Sequence, residues 1–392
     1  MTRAEALKGA LKKRFPGLRR LFWRTWYGLV EFGKWYRWTR YDLKRFNRIH
    51  SHLVRLYASF VGNYFRLYHI RTRLARQNPR PQLIAISLIE HMGDIVACLP
   101  VADYVRQQNP DAYILWIVGR RYRELVAAHP ALNETIQVQC LTEWLLLQNC
   151  HFFDEIIELH PDGRFCSTCW IRLNKTTGDR RVTIDNYYEF GKLQDSFCIG
   201  AGLPRLDRAP RLDIPASVAA RIDRLNLPEK FIVVHTTSNE SSRDWTPQRW
   251  HELVTRLLQA WDGSVVEVGL VSGLDLRRDP RVLDLCGKLS ILETGEVIRR
   301  AEAFVGVDSG PAHLANAVNV PGVILLGQYR AFQRYMPYTG PYEQAARADL
   351  LYADGPAATI PVERVYAALA RRLMPAYSNP FESQSPPVVL EN

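Results

Sequence analysis

The chain has few of the features that mark membrane-spanning, secreted or disulfide-rich proteins. No segment reaches the roughly 18 to 20 apolar residues that a spanning helix needs, and the charged start of the chain lacks the long apolar run of a cleaved signal peptide. Seven cysteines, an odd number scattered through 392 residues, do not form a disulfide framework. These absences predict a protein of a reducing compartment, the cytoplasm.

Several fingerprints of common enzyme classes are also missing. No G-x-G-x-x-G follows an apolar run, which argues against a nicotinamide or flavin enzyme, and no P-loop is present. The nearest approach to a nucleophile elbow, Val307 to Gly310, lacks the first glycine of G-x-S-x-G.

Acidic residues are scarce at the start of the chain. Residues 1–80 carry 20 lysines and arginines but three acids, a balance of +17, so the remaining 312 residues carry −6 of the net +11. The basic character therefore belongs to an N-terminal arm. A body with negative charge and no nucleic-acid motif argues against a nucleic-acid partner.

The arm combines its cations with aromatic residues at helical spacing. Leu53, Leu56, Tyr57, Phe60 and Tyr64 follow one helical face, and Trp23, Trp26, Tyr27 and Val30 follow another. Two interpretations of residues 1–78 remain open. In the first, they dock on an anionic membrane surface. In the second, they form a helical hairpin whose aromatic side chains pack on the body.

Beyond a proline-containing linker at 77–81, the body reads as alternating strands and helices. The apolar run Leu83 to Ile89 predicts a buried parallel strand, and it is followed by a turn at Gly93-Asp94 and a helix from Ile95. Further strands are predicted at 112–118, 135–138 and 154–159. This alternation predicts a doubly wound parallel sheet.

The polar stretch 161–183 predicts an excursion from that sheet. Cys166 and Cys169 have the C-x-x-C spacing of half a zinc site, with Cys150, His151, His160 and Cys198 within reach in sequence. No second C-x-x-C completes the site. Two reduced thiols are the simpler interpretation, and the sequence predicts no metal.

A second alternating series begins with the strand Phe231 to His235. The loop after it, 236–247, contains Thr236, Thr237, Ser238 and Arg243, which together suit a phosphate or, alternatively, an ordinary solvated loop. Thr246 and Pro247 suit the cap and first position of the next helix.

The stretch Phe304 to Gly327 contains the clearest candidate site. An apolar strand ends at Asp308-Ser309-Gly310-Pro311, where a short helix begins and exposes free backbone N–H groups. In open α/β sheets, ligands bind at such strand ends. Asp308, Ser309, Gly310 and His313 are therefore predicted to face an anionic ligand.

These two signatures resemble glycosyltransferase family 9, the heptosyltransferases. The residues that carry the resemblance are GDIVACLP at 93–100, with Asn109-Pro110 and His129-Pro130 beyond it, and DSGPAHLANAVNVP at 308–321. The resemblance implies a GT-B fold, in which two Rossmann-like doubly wound domains face a cleft. It also implies inverting transfer from ADP-heptose without a catalytic metal, and a lipopolysaccharide-core acceptor at the inner face of the inner membrane.

The resemblance also assigns roles to individual residues. Asp94 is implied as the catalytic base, although an aspartate there also suits a helix cap. Arg243 stands where the family commonly has a lysine for the phosphates. Ser309, Gly310 and His313 are implied to contact phosphate and sugar, while Asp308 is implied to accept hydrogen bonds from sugar hydroxyls. A satisfied structural histidine is the alternative for His313.

The chain departs from the family in two places. The 80-residue basic arm is an addition, and QYRAFQRYMPYTG at 328–340 differs from the usual continuation, so a nucleotide sugar other than ADP-heptose stays open. We predict four regions: the helical extension at 1–80, an acceptor domain at 81–210, a donor domain at 211–373 whose last helix can return to the first domain, and a disordered tail at 374–392. The alternative functions are a catalytically silent membrane-docked scaffold and a transferase for protein acceptors.

Overall fold

The computed structural model describes residues 43–77, 81–274, 276, 279–330, 332, 335–343 and 347–374. The predicted helix around Trp23 to Val30 and the predicted disordered tail beyond Met374 lie outside these residues. Among the described residues, no helix is both long and apolar enough to cross a bilayer.

The first half of the chain builds a four-stranded parallel sheet in the order β3-β2-β1-β4. Its strands are β1 (Leu83–Ser87), β2 (Tyr113–Gly119), β3 (Glu134–Val138) and β4 (Glu155–Glu158). The helices of this half are α1 (Leu43–Gln77), α2 (Met92–Cys98), α3 (Pro100–Gln108), α4 (Arg123–Ala127), α5 (Leu141–Gln148) and α6 (Leu193–Gly200).

Between β4 and α6 the chain leaves the sheet, as the polar stretch predicts. It forms a small antiparallel hairpin, β5 (Phe165–Cys166) and β6 (Ile171–Arg172), and then a 3-10 turn at Tyr187–Phe190.

The second half builds a six-stranded parallel sheet in the order β12-β11-β10-β7-β8-β9. Its strands are β7 (Phe231–His235), β8 (Ser264–Glu267), β9 (Val282–Asp284), β10 (Ala303–Val307), β11 (Gly322–Leu326) and β12 (Ala348–Tyr352). Its helices are α7 (Ala216–Ile222), α8 (Pro247–Ala260), α9 (Ile291–Arg299), α10 (Gly310–Ala317) and α11 (Val362–Leu373).

Both sheets are buried on both faces, which explains the continuous apolar runs in the sequence. In β1, Ile84 and Ile86 belong to one core while Leu83 and Ala85 belong to another on the opposite face. Alternate residues of β7 divide in the same way between two cores. The predicted α/β fold with two Rossmann-like doubly wound halves is confirmed.

The helix α1 lies on one face of the first sheet. Leu56, Phe60, Leu67 and Ile70 are buried, and the last three of these join the core that includes Trp144 of α5. Packing on the body, one of the two interpretations of the arm, is therefore what the described part of the arm shows.

Polar contacts fix the register of α1 on the sheet. The Asn63 amide donates to the Glu143 carboxylate at 2.8 Å, and Arg71 forms a two-pronged ion pair with Asp154. The Asn63–Glu143 bond is buried, so its loss would leave an unsatisfied carboxylate oxygen.

The last helix, α11, corrects one expectation. Val362, Val365, Ala368 and Leu369 pack into the core of the second sheet, and α11 lies against α8, β10 and β11. The expectation that this helix returns to the first domain is not met, because its apolar face is already covered by its own domain.

Candidate functional site

The two sequence signatures meet in space, because the start of α2 packs directly against the start of α10. The contact leaves little room for a side chain at Gly93, and at Gly310 the flexible end of Met92 fills the space. A Cβ on Gly93 would lie 2.6 Å from Cδ2 of His313, and a Cβ on Gly310 would lie 2.0 Å from Cε of Met92. The carboxyl ends of β1 and β10 are therefore close together, and the first turns of α2 and α10 are taken as the two walls of the candidate site.

Asp94 sits in the first turn of α2 with its side chain partly exposed. Its carboxylate accepts a long hydrogen bond, 3.5 Å, from the backbone N–H of His91. The helix begins at Met92 with His91 as its N-cap, so Asp94 is the third helical residue and not the N-cap that the sequence suggests, although its bond to the N-cap N–H still helps to cap the helix. Because the bond is long and uses one oxygen, the other oxygen stays available to a substrate, and the role as base stays a prediction.

Asp308 is deeply buried, and each of its carboxylate oxygens accepts a hydrogen bond from a neighbouring tyrosine. Its carboxylate accepts a hydrogen bond of 2.7 Å from the Tyr338 hydroxyl and another from the Tyr335 hydroxyl. Burial raises the pKa of Tyr338, and the carboxylate beside it acts in the same direction. Tyr338 therefore stays a protonated donor, and the predicted contact between Asp308 and a sugar stays a prediction.

Arg243 lies in the 3-10 turn Ser241–Arg243 after β7 and is mostly buried. One guanidinium nitrogen lies 3.5 Å from the Asp308 carboxylate and another donates to Asn239 at 2.6 Å, while the group stacks over Tyr329 at 5.0 Å. Its Nε is buried without a hydrogen-bond partner among the described residues. A buried cation with an unused donor suits a phosphate oxygen.

His313 is buried between the two walls, with its ring 4.8 Å from the ring of Tyr338. Burial lowers its pKa because the cation is disfavoured away from water, although Asp308 and Asp94 oppose this effect. The imidazole is therefore neutral near pH 7 and can donate or accept one hydrogen bond. Ser309 caps α10 in an extended conformation, and the first N–H groups of that helix have no intrahelical partner.

The hydroxyl loop after β7 is organised around its own contacts. The Thr236 hydroxyl donates to Glu267 at 2.8 Å, the Ser238 N–H donates to Asp244 at 2.6 Å, and the Ser238 hydroxyl donates to a backbone carbonyl. Thr237 is partly exposed. Donor contacts by these three residues stay predictions. The predicted cap Thr246 and the proline at the first position of α8 are observed.

Glu267, at the end of β8, holds the next loop in place. Its carboxylate accepts hydrogen bonds from the Ser272 hydroxyl at 2.5 Å and from the Gly273 N–H at 2.7 Å. On the same loop, Leu270 and Val271 are 88% and 67% exposed. Two exposed apolar side chains at a strand end form a surface that a flat ring can cover.

An aromatic cluster that sequence reasoning missed connects the two halves. Tyr187 and Tyr188 of the 3-10 turn contact Phe332 and Tyr335 with ring centroids 4.9 to 5.1 Å apart, and Tyr329 completes the cluster. The segment 328–340, which departs from the family, contributes three of these five rings. The aromatic residues of this segment are evident in the sequence. Nothing in the sequence near Tyr187-Tyr188 indicates that these two tyrosines contact it.

The first domain carries an ion pair close to Asp94. The Arg164 guanidinium donates to Glu90 at 2.7 Å and lies 2.8 Å from the His91 ring nitrogen. Burial would raise the pKa of Glu90, but Arg164 outweighs it, so the pKa is lowered and the pair is ionised. Beside the pair is a cavity of about 430 Å³ whose other lining residues include Phe165, Arg172 and Asp185.

Two side-chain groups among the described residues have the geometry of a metal site, namely His52 with Cys140 and Cys169, and Glu267 with Asp284 and Cys286. Of the residues near the C-x-x-C in sequence, His160 instead pairs with Glu158 at 2.6 Å. The C-x-x-C thus has different partners from those considered in the sequence.

Comparisons with known proteins agree with this geometry. The family model described as glycosyltransferase family 9 (heptosyltransferase) matches residues 201–348. Lipopolysaccharide heptosyltransferase 3 of Escherichia coli is 30% identical over 118 residues, which cover 27% of this chain and 34% of that relative. The matched part of the chain thus spans about a third of that protein.

Longer matches also exist. A lipopolysaccharide heptosyltransferase 3 of Escherichia coli K12 is 26% identical over 280 residues, which cover 61% of this chain and 80% of that relative. The solved ADP-heptose lps heptosyltransferase II of E. coli superposes with a TM-score of 0.56 at 16% identity, over 75% of this chain and 99% of that chain.

The two sheets and the likeness to this solved structure define a GT-B fold. Within that fold, residues 201–348 match the model of glycosyltransferase family 9, and the chain is similar to lipopolysaccharide heptosyltransferases over the stretches given above.

Proposed function

We propose that the protein is an inverting glycosyltransferase that moves a heptose or related sugar from a nucleotide-diphosphate donor, such as ADP-heptose, to a lipopolysaccharide-core or related glycan. The observation that carries this proposal is the contact of α2 with α10, which places Asp94 opposite the N-terminus of α10. A base and an anion cradle on opposite walls are the parts that such a transfer needs.

The reaction is a single displacement. Asp94 takes the proton of an acceptor hydroxyl, the hydroxyl oxygen bonds to the anomeric carbon, and the bond from that carbon to the diphosphate oxygen breaks. The nucleotide diphosphate leaves with the electron pair. Because attack and departure occur on opposite faces, the anomeric configuration inverts.

Two positive elements stabilise the departing diphosphate. The N–H groups at Ser309 and Gly310 point out of the N-terminus of α10, and Arg243 adds a full charge with a donor still unused. His313, neutral and buried, contributes a hydrogen bond. Since these groups supply the charge that a divalent ion would otherwise supply, we propose that the transfer step needs no metal.

The nucleoside is proposed to lie against the loop held by Glu267. Leu270 and Val271 offer the apolar surface for the base. The names of the similar proteins favour ADP-heptose as donor. The aromatic cluster at 329–335 lines the donor-sugar side, where it can select a related sugar instead.

The acceptor is proposed to occupy the cavity beside Glu90 and Arg164. Arg164 and Arg172 can pair with the carboxylates or phosphates of a core glycan.

The arm is proposed to hold this acceptor domain against an anionic membrane, on the inner face of the inner membrane. On α1, Val54, Val61, Phe65 and Tyr68 are between 47% and 55% exposed. They are seven, four and three residues apart, which places them on one stripe opposite the buried face. An exposed apolar stripe on a strongly basic arm has the composition of an interfacial helix.

The proposal is tested by incubating the purified protein with ADP-heptose and Kdo-bearing lipid A, and then with a panel of other nucleotide sugars. We expect at least one donor to raise the thermal transition and to be consumed with release of its nucleoside diphosphate. Binding of no nucleotide sugar would reject the transferase. Binding without turnover on any acceptor would favour the catalytically silent scaffold.

A further inference from the structure

A cluster of sulfur and nitrogen ligands lies away from the donor site. It joins three separate elements: His52 comes from α1, Cys140 directly precedes α5, and Cys166 and Cys169 flank the turn of the β5–β6 hairpin. The proposed glycosyl transfer does not use any of these four residues.

The distances between these ligand atoms match the distances between ligands of a tetrahedrally coordinated metal ion. The Sγ atoms of Cys140 and Cys169 are 3.9 Å apart, and the ligand atoms of His52, Cys140 and Cys169 all lie within 4.8 Å of one another. Two thiolates bound tetrahedrally to zinc at about 2.3 Å are themselves about 3.8 Å apart. The cluster therefore needs little movement to close around an ion.

Cys166 is the candidate fourth ligand. It precedes Cys169 by three residues across the turn of the hairpin, and its thiol interacts electrostatically with the thiols of Cys140 and Cys169 and with the His52 ring. The C-x-x-C spacing is that of a zinc-binding turn. Cys166 is buried, as a ligand of a closed structural site is expected to be.

His52 provides an independent observation. Its Nε2 is buried and has no hydrogen-bond partner among the described residues. A buried polar atom left in this state costs about 1–3 kcal/mol. Coordination to an ion at the cluster would remove that cost.

A disulfide explains less of this arrangement. It would require two sulfurs to approach to about 2.05 Å from the 3.9 Å observed for Cys140 and Cys169. It would also leave the third thiol and the histidine nitrogen without a role.

We propose that His52, Cys140, Cys166 and Cys169 bind a structural Zn²⁺ ion. On binding, the three thiols lose their protons to solvent and coordinate as thiolates, while His52 coordinates as the neutral imidazole. Four protein ligands leave no open position, so the ion takes no part in the transfer step. No oxidation or reduction is involved.

The ion would fasten α1 and the hairpin to the first domain. The hairpin carries Phe165 and Arg172, and Arg164 just before it, all of which line the cavity beside Glu90. The metal would thus fix the shape of that cavity. Metal binding itself does not depend on the proposed transferase activity, so either proposal can fail alone.

The test uses the full chain, purified without a polyhistidine tag under reducing conditions. We expect elemental analysis to find one zinc ion per chain. After chelation, cobalt(II) should give the thiolate charge-transfer absorption and the strong visible bands of a tetrahedral sulfur-rich site. Cys166→Ser and Cys169→Ser should lose the ion, whereas Cys150→Ser, which alters a neighbouring cysteine outside the cluster, should keep it.

Two substitutions of His52 test whether this residue binds the ion. His52→Cys should retain one ion in a four-thiolate site, and His52→Leu should weaken retention of zinc against a chelator at least tenfold. These variants leave all three cysteines in place.

The wild-type chain alone can overturn the proposal. Failure to take up zinc or cobalt after reconstitution under reductant would do so, even if the cysteine variants do not fold. A mass lower by two hydrogens without reduction, restored by reductant and mapped to two of these cysteines, would instead identify a disulfide. Equal zinc content in Cys166→Ser and Cys150→Ser would place the ion elsewhere.

Discussion

At the residue scale, Arg243 is the side chain whose role the structure sharpens most. The family resemblance implies that Arg243 stands where a lysine is common, and the structure shows that its guanidinium stacks on Tyr329 and approaches Asp308. A lysine offers neither a planar face nor a forked donor. An arginine at this position therefore suits the aromatic segment beside it better than a lysine would.

Arg243→Ala is expected to weaken donor binding. Loss of a charged hydrogen bond to phosphate costs about 1.5–3 kcal/mol, which is roughly a ten- to hundredfold increase in Kd. Arg243→Lys should recover part of this loss but not all. Calorimetric titration with the nucleoside diphosphate measures both.

Arg224→Ala, which changes an arginine of a turn in the second domain, serves as the control and should bind normally. Equal affinity in wild type and Arg243→Ala would remove Arg243 from the phosphate site.

At the element scale, the contact between α2 and α10 leaves no room for a side chain at Gly93. Gly93→Ala would place a Cβ against the His313 ring, and that ring is itself packed against Tyr338. We expect a loss of about 1–3 kcal/mol in the free energy of unfolding and reduced turnover. Urea denaturation and transfer assays measure the two effects.

Gly355→Ala is the matched control, because an added Cβ there meets nothing within 4 Å. A Gly93→Ala protein as stable and active as this control would show that the two helices separate without cost.

Substitutions on the buried face and on the exposed face of α1 are expected to have different effects. Phe60 is 2% exposed and Phe65 is 51% exposed. Phe60→Ala should lower the free energy of unfolding by about 3–5 kcal/mol, whereas Phe65→Ser should change stability little and weaken sedimentation with vesicles rich in phosphatidylglycerol.

Sedimentation of wild type should also fall as salt is added, since screening weakens the attraction of the basic arm. Unchanged sedimentation of Phe65→Ser at every salt concentration would argue against membrane contact through this stripe.

Much of this architecture is encoded locally and could be predicted. Continuous apolar runs such as Phe231 to His235 specify strands buried on both faces, and Ser309-Gly310-Pro311 specifies a helix start. Contacts between distant segments carry no such local signal. Tyr187-Tyr188 meets Phe332, and Cys140 and His52 meet the C-x-x-C, only because the tertiary fold brings them together.

At the scale of the whole molecule, the two halves are joined by more than the contact between α2 and α10. One core contains strand residues from both sheets, and the Glu124 carboxylate of α4 accepts the N–H of Ile291 at the start of α9 at 2.9 Å. The two domains are therefore in close contact, and the candidate site lies where the first turns of α2 and α10 meet.

The central claim is that Asp94 acts as base at this site. The most direct test compares wild type and Asp94→Asn for donor Kd and for kcat with the donor and acceptor found by the panel. We predict an unchanged Kd and a kcat lower by about two to four orders of magnitude, the usual contribution of a general base. A kcat within a few-fold of wild type, or an equal loss of donor binding and turnover, would contradict the account.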